Sequence, residues 1–174
     1  MLLSSLYEFK GNIAVEGLSC VGKTSLLRKM LEFGFVCVDE WLLKAEATSS
    51  RTHLFTLNDR KKAECLMNNS RVVLDRYYIS TALCDVVCRG KQDLYAAIDS
   101  YSINYTQPDL WIYIKSNPHE SYERAIANRD MNNYSPWFDY QKIKLLSNGY
   151  DEIFSSLDNV LTVDSDDLQV YLFS

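Results

Sequence analysis

The sequence predicts a three-layer α/β fold: a five-stranded parallel sheet with helices on both faces. Three observations lead there. Short apolar runs of strand length alternate with segments of helical periodicity. The 174 residues, 47% hydrophobic and 24% charged, suffice for one core and one domain spanning 1–174. The chemically rich residues follow the strands, where ligands bind in an open parallel sheet.

The first strand is Ile13-Ala14-Val15, an apolar run that reads as buried. Leu26, Leu27, Met30, Leu31 and Phe33 then recur near helical spacing over Ser25 to Phe33. Phe35-Val36-Cys37-Val38, entered through Gly34, is the second strand. Residues 40–50 turn polar, and 51–69 read as a helix burying Leu54, Leu57, Ala63, Leu66 and Met67. Val72-Val73-Leu74 is the third strand and ends at Asp75. Residues 79–105 hold one or two helices, interrupted near Arg89-Gly90-Lys91. Pro108 precedes the fourth strand, Leu110 to Ile114. Asn117-Pro118 opens a helix through about Arg129, because proline fits a first helical turn. Residues 130–136 are polar and turn-rich, and a further helix covers about 138–157. Val160-Leu161-Thr162-Val163 is the fifth strand, and a short segment closes the chain.

Between the first strand and its helix, Gly17, Gly22, Lys23 and Thr24 complete G-x-x-x-x-G-K-[ST]. Strand, glycine loop and helix are the context this motif requires. The loop's N–H groups, over Gly17, Ser19, Cys20, Val21, Gly22, Lys23, Thr24 and Ser25, form a nest for nucleotide phosphates at a helix N-terminus. Lys23 is expected to reach the β- and γ-phosphates of ATP, and Thr24 to ligate Mg²⁺. Asp75, ending a strand beside that loop, is a second candidate for the metal; the plain alternative is an N-cap of the next helix. Arg76 beside it is a candidate phosphate contact, or a salt-bridging arginine.

Composition excludes other classes. A net charge of −5 argues against a general nucleic-acid surface. The start MLLSSLYEFKG lacks a basic segment and is interrupted by Glu8, so it is not read as a signal peptide. No apolar run approaches the ~20 residues of a membrane span. The cysteines at 20, 37, 65, 84 and 88 form no C-x-x-C pair. They read as structural thiols of a cytoplasmic protein rather than zinc ligands. The guanine motif N-K-x-D and a D-x-x-G after the third strand are missing, against a GTPase switch.

DRYYIS at 75–80, following VVL, resembles the D-R-Y-x-x-S signature of thymidylate kinases. LFTLNDR at 54–60 resembles their L-F-x-x-(N/D)-R segment, and Pro108-Asp109-Leu110 with Tyr113 their P-D-L strand entry. Glu123-Arg124 to Arg129 resembles the start of their lid, here about 124–136. Tyr150 and Val163-Asp164 fall in the expected order, so the resemblance covers most of residues 11–165. It implies a P-loop kinase fold and transfer of the ATP γ-phosphoryl group to dTMP, with Mg²⁺. By resemblance, Phe55 stacks on the pyrimidine, Arg60 contacts the base or acceptor, Arg76 and Tyr77 line the acceptor site, and Arg124 or Arg129 supplies the lid cation. Dimers packed through helices occur in that family, so a homodimer is allowed. The plainer roles are a core aromatic for Phe55 and an Arg124–Glu120 pair across one turn.

Departures from the pattern point to a second family. Ser19 stands where thymidylate kinases carry Asp, and Asp39-Glu40-Trp41 replaces their R-E-P-like motif. Phe55 and Arg60 are five apart instead of four. Deoxynucleoside kinases, whose loop also begins E-G as Glu16-Gly17 does, use a Glu after the second strand as base on a 5′-hydroxyl. Glu40 fits that role, or is a solvated loop carboxylate. A nucleotide-binding homologue without catalysis is the third alternative; Lys23, Thr24 and Asp75 speak against it.

Overall fold

A computed structural model describes residues 2–40, 51–90, 93–128 and 139–173. The elements run α1 (Leu2–Glu8), β1 (Ile13–Gly17), α2 (Lys23–Glu32), β2 (Val36–Val38), α3 (Arg51–Asn68), β3 (Val72–Asp75) and α4 (Tyr78–Arg89). They continue with α5 (Leu94–Ser102), β4 (Leu110–Lys115), α6 (Pro118–Ala127), α7 (Tyr140–Ser156), β5 (Val160–Asp164) and α8 (Ser165–Phe173). All five expected strands form, in the order β2-β3-β1-β4-β5, and every pairing is parallel. The helices α1 and α8 lie outside the sequence expectations. Asp166 and Asp167 in the first turn of α8 are a helix-start signal that the reading did not use.

The three layers follow from which strand faces are apolar. β1 is buried along its whole length and β3 nearly so, while the edge strands β2 and β5 are only partly covered. On one side α2 packs against β1, β2 and β3 and meets α8. On the other, α4 lies over β1 and contacts α3, α5 and α7. Gly149 lets α7 approach α4 closely: a Cβ there would lie 2.4 Å from Leu83 Cδ2. That approach carries the next residue, Tyr150, into the buried region under the loop after β1.

The chain crosses from β3 over to β4, leaving β1 between them. The crevice at a topological switch point of this kind is where an open α/β sheet binds ligands. β1 ends there at Gly17, whose φ is +141°. A Cβ on Gly17 would stand 2.5 Å from the Ile114 carbonyl oxygen of β4, a backbone atom that cannot step aside. Gly17→Ala is therefore expected to cost about 3 kcal/mol of stability. Urea unfolding checks it; an unchanged midpoint would show that the loop tolerates a side chain here.

Candidate functional site

The loop after β1 curls through positive φ at Cys20 (60°) and Gly22 (102°). Val21 is fully buried and ties the loop to the core, while Ser19 and Ser25 are half-buried and Cys20 and Thr24 exposed. Helix α6 leans on the loop: Ser121 Oγ donates to the Ser19 carbonyl at 2.6 Å, and Asn128 Nδ2 lies 4.0 Å from Cys20 Sγ. Lys23 is buried, and its ammonium donates to the carbonyls of Leu18 (2.6 Å) and Gly17 (3.4 Å). Burial and the neighbouring Arg76 lower its pKa to about 8, against the pull of Asp75, Glu40 and Glu16. A bound polyphosphate favours the ammonium form and raises that value, so binding above about pH 8 takes up a proton. ATP affinity is expected to fall by up to about tenfold per pH unit above this point. Titration calorimetry in buffers of different ionisation enthalpy checks the uptake; a flat affinity between pH 7 and 9.5 would remove Lys23 from the contact.

Asp75 ends β3 opposite Val15 of β1. Its Oδ1 is buried and has no hydrogen-bond partner among the described residues. Burial raises its pKa, and Lys23 and Arg76 counter the rise. A carboxylate oxygen left over in this way, in the same loop region as the Thr24 hydroxyl, fits a hard divalent cation. Mg²⁺ takes few protein ligands and completes its shell with water and phosphate. Lys62 of α3, which sequence reasoning missed, donates to the carbonyls of Asp75 (2.7 Å) and Arg76 (3.0 Å) and fixes the backbone there.

Beneath the loop lies a buried polar network. Glu16, in the middle of an apolar strand, is fully buried. Its carboxylate accepts from the Tyr77 N–H (2.8 Å), the Ser80 hydroxyl and Tyr150 Oη (3.4 Å). Burial raises its pKa; Arg76 and the Ser80 hydroxyl oppose the rise. Arg76 Nη1 donates to the Gly17 carbonyl (2.8 Å), Ser80 Oγ (3.2 Å) and Tyr150 Oη (3.1 Å). Its Nε lies 3.2 Å from Glu40 Oε1. Burial works against the Arg76 charge, but Tyr150 and the carboxylates of Glu40, Glu16 and Asp75 hold it protonated.

The Arg76 guanidinium is thus bonded to protein and ties the loop to Glu40. The side chains of two further candidates turn elsewhere. Arg60 points outward, 74% exposed and 4.0 Å from Glu64, because one residue turns a helical side chain by about 100°. The face turned toward α4 and the strand ends carries Phe55, Asp59 and Lys62 instead, at i, i+4 and i+7. Tyr77 places its ring in the core against Trp111, with its hydroxyl on the Thr106 carbonyl at 3.1 Å. Only its backbone N–H serves the site.

Phe55 is half-buried with the Arg89 guanidinium 5.6 Å from its ring. Arg124 pairs with Glu120 (3.1 Å) across one turn and approaches Asp166 of α8 (3.7 Å). It shares a helix face with Ser121 and Asn128, both of which reach the loop. Arg129 and most of the expected lid lie outside the described residues, as does Trp41.

The sequence pattern of the thymidylate kinase family matches residues 37–169. The chain belongs to the thymidylate kinase family. It is a nucleotide kinase, of the nucleoside monophosphate kinase type, that takes ATP as phosphate donor and binds small nucleotide substrates. No curated protein sequence matches it significantly. Among solved structures it is similar to a deoxyadenosine kinase from M. mycoides with bound dATP. The identity is 16% over 92% of this chain and 96% of that one, with a TM-score of 0.67. It is also similar to a thymidylate kinase from Candida albicans, at 17% identity over 94% and 89% of the two chains and a TM-score of 0.64. Residues of the YorR protein from Bacillus subtilis match at 15% identity over 89% and 86%, with a TM-score of 0.56. At such identities these likenesses show the fold, which is the P-loop kinase fold. Among the described residues no helix is long and apolar enough to cross a membrane.

Proposed function

We propose that this member of the family transfers the γ-phosphoryl group of ATP to a deoxynucleoside monophosphate, with dTMP the acceptor that the sequence motifs imply. The observation that carries the reading is the glycine loop at the switch point, with the Lys23 ammonium across its carbonyls and, at the end of β3, an Asp75 Oδ1 without a partner among the described residues. Phosphoryl transfer requires little covalent participation by the protein; positioning and charge carry it. Backbone N–H groups from Ser19 to Ser25 cradle the donor phosphates. Lys23 leaves its carbonyl partners for the β- and γ-phosphates. Thr24 and Asp75 would hold Mg²⁺, which supplies charge neutralisation on the phosphate oxygens when bound. Arg76 keeps Glu40 and the loop in register, and Arg124 or Arg129 brings the second cation from the α6 side.

The ion pair between Glu40 and Arg76 favours a second reading, in which the acceptor is a nucleoside. A 5′-hydroxyl needs a base for its proton, whereas a monophosphate arrives as an anion. Glu40 is only half-covered and stands after β2, at the carboxyl edge of the sheet. One experiment separates the two: ATP turnover with dTMP, dCMP, dAMP, dGMP, dUMP and the matching nucleosides, for wild type and Glu40→Gln. Diphosphate products, with the variant within tenfold of wild type, support the first reading. Monophosphate products, with Glu40→Gln down by about 10²–10⁴-fold, replace it by the second. ATP binding without any product overturns both.

A further inference from the structure

Asp59 is the one acid on the cleft-facing side of α3 that none of the roles above uses. It is 3% exposed. Among the described residues its hydrogen-bonding partner is a single hydroxyl, Thr81 Oγ1 of α4, which donates to Oδ2 at 2.6 Å. Lys62, the cation that acts on it, is committed to the carbonyls of Asp75 and Arg76. Burying a carboxyl with one neutral partner is unfavourable, and such groups usually have a purpose beyond packing. Its place gives the purpose. Phe55 lies one turn before it on the same face, and Lys62, on the backbone of Asp75 and Arg76, one turn after. An acceptor whose phosphate faces the donor phosphates held by the loop after β1, and whose base lies along Phe55, turns the edge of that base toward Asp59.

We propose that Asp59, aimed by Thr81, reads the acceptor's base and selects one with an exocyclic amino group, as in cytosine and adenine, over thymine or uracil. The proposal rests on the monophosphate-kinase reading and revises its dTMP acceptor. A carboxylate accepts hydrogen bonds and donates none. It matches an amino group, as Asp and Glu do when they accept from cytosine N4. Thymine and uracil carry a carbonyl oxygen at the position of that amino group, and its lone pairs face the carboxylate. A site whose buried carboxylate meets this position accepts a hydrogen bond from the amino base and is left against a second acceptor by the carbonyl base. Burial raises Asp59 to about 7, opposed by the Thr81 hydroxyl and Lys62 and reinforced by Glu16 and Asp85. The carboxylate therefore prevails at pH 8.

The test is kcat/KM at pH 8 with saturating ATP for dCMP and dUMP, which differ at C4 (amino against carbonyl) and in the proton on N3, with dAMP and dTMP beside them. The expected result is dCMP over dUMP by at least about tenfold, expressed mainly in KM, with dUMP and dTMP alike. Asp59→Asn, which both donates and accepts, should bring the dCMP:dUMP ratio to near one, with the change falling in KM more than in kcat. A wild-type ratio of one, or a ratio unchanged in Asp59→Asn, overturns the proposal. The wild-type ratio decides even if the variant does not fold. Should only nucleosides be phosphorylated, the acceptor reading fails, yet deoxycytidine against deoxyuridine still tests Asp59. Should nothing turn over, equilibrium binding of dCMP and dUMP does so.

Discussion

Lys23→Ala is expected to lower kcat by on the order of 10³-fold while the fold persists. The two halves of that result have one cause. Lys23 is a buried cation whose only direct hydrogen-bond partners among the described residues are two loop carbonyls, and burial pulls its pKa down to about 8. It is poorly compensated there until a polyphosphate takes the place of those carbonyls. Alanine removes the burial cost together with the charge. The thermal midpoint should therefore hold or rise slightly, as when a site arranged for function is relieved of a strained group. Turnover should collapse, because charge develops on the transferring phosphoryl group where Lys23 would have met it. Steady-state kinetics and a melting curve on the same preparation check both halves. Turnover within tenfold of wild type would remove Lys23 from the reaction. A fall of many degrees in the midpoint would make it a structural residue instead.

The sheet was legible because buried parallel strands are nearly continuous apolar runs. Ile13–Val15, Val72–Leu74 and Leu110–Ile114 could hardly be anything else between helical segments. The phosphate loop was legible because its chemistry is local: a few consecutive residues make the whole cradle. What sits around it was less so. Motif matching by residue type picked Arg60, but the helix decides by angle, and the face it presents carries Asp59. Tyr77 looked like a site residue beside Arg76. The left-handed φ of 60° at Arg76 turns the following chain so that the ring enters the core. A glutamate inside the run Ile13–Gly17 was a visible anomaly, since charged residues are seldom buried unpartnered. Its partners were not visible: Ser80 lies 64 residues away and Tyr150 134, and only the packing of α4 and α7 over β1 brings them together.

Arg76→Met is expected to destabilise the protein by about 3–5 kcal/mol, the usual cost of removing one partner from a buried charged cluster. Methionine fills much of the space, so the loss is of charge and hydrogen bonds more than of volume. Arg76 is 5% exposed, and its removal strips a donor from the Gly17 carbonyl, Ser80 and Tyr150 together. It also leaves Glu16 and Glu40 without the cation between them. Arg76→Lys should restore only part of this, because a single ammonium cannot serve Glu40 and the three Nη1 partners as the planar fork does. The pH dependence identifies the mechanism. Glu16 already has a raised pKa in the folded protein, through burial opposed chiefly by Arg76. Without Arg76 it rises further, so over a wider window the folded state holds a proton that the unfolded state has lost. Stability then falls as pH rises through that window. Urea midpoints of Arg76→Met should thus lie nearest to wild type at about pH 5 and fall behind by pH 8. A double-mutant cycle with Glu40→Gln should show a coupling of about 1–3 kcal/mol. A destabilisation below about 1 kcal/mol that is flat with pH would show that the loop and Glu40 do not depend on Arg76, and that its guanidinium is free for the acceptor phosphate after all.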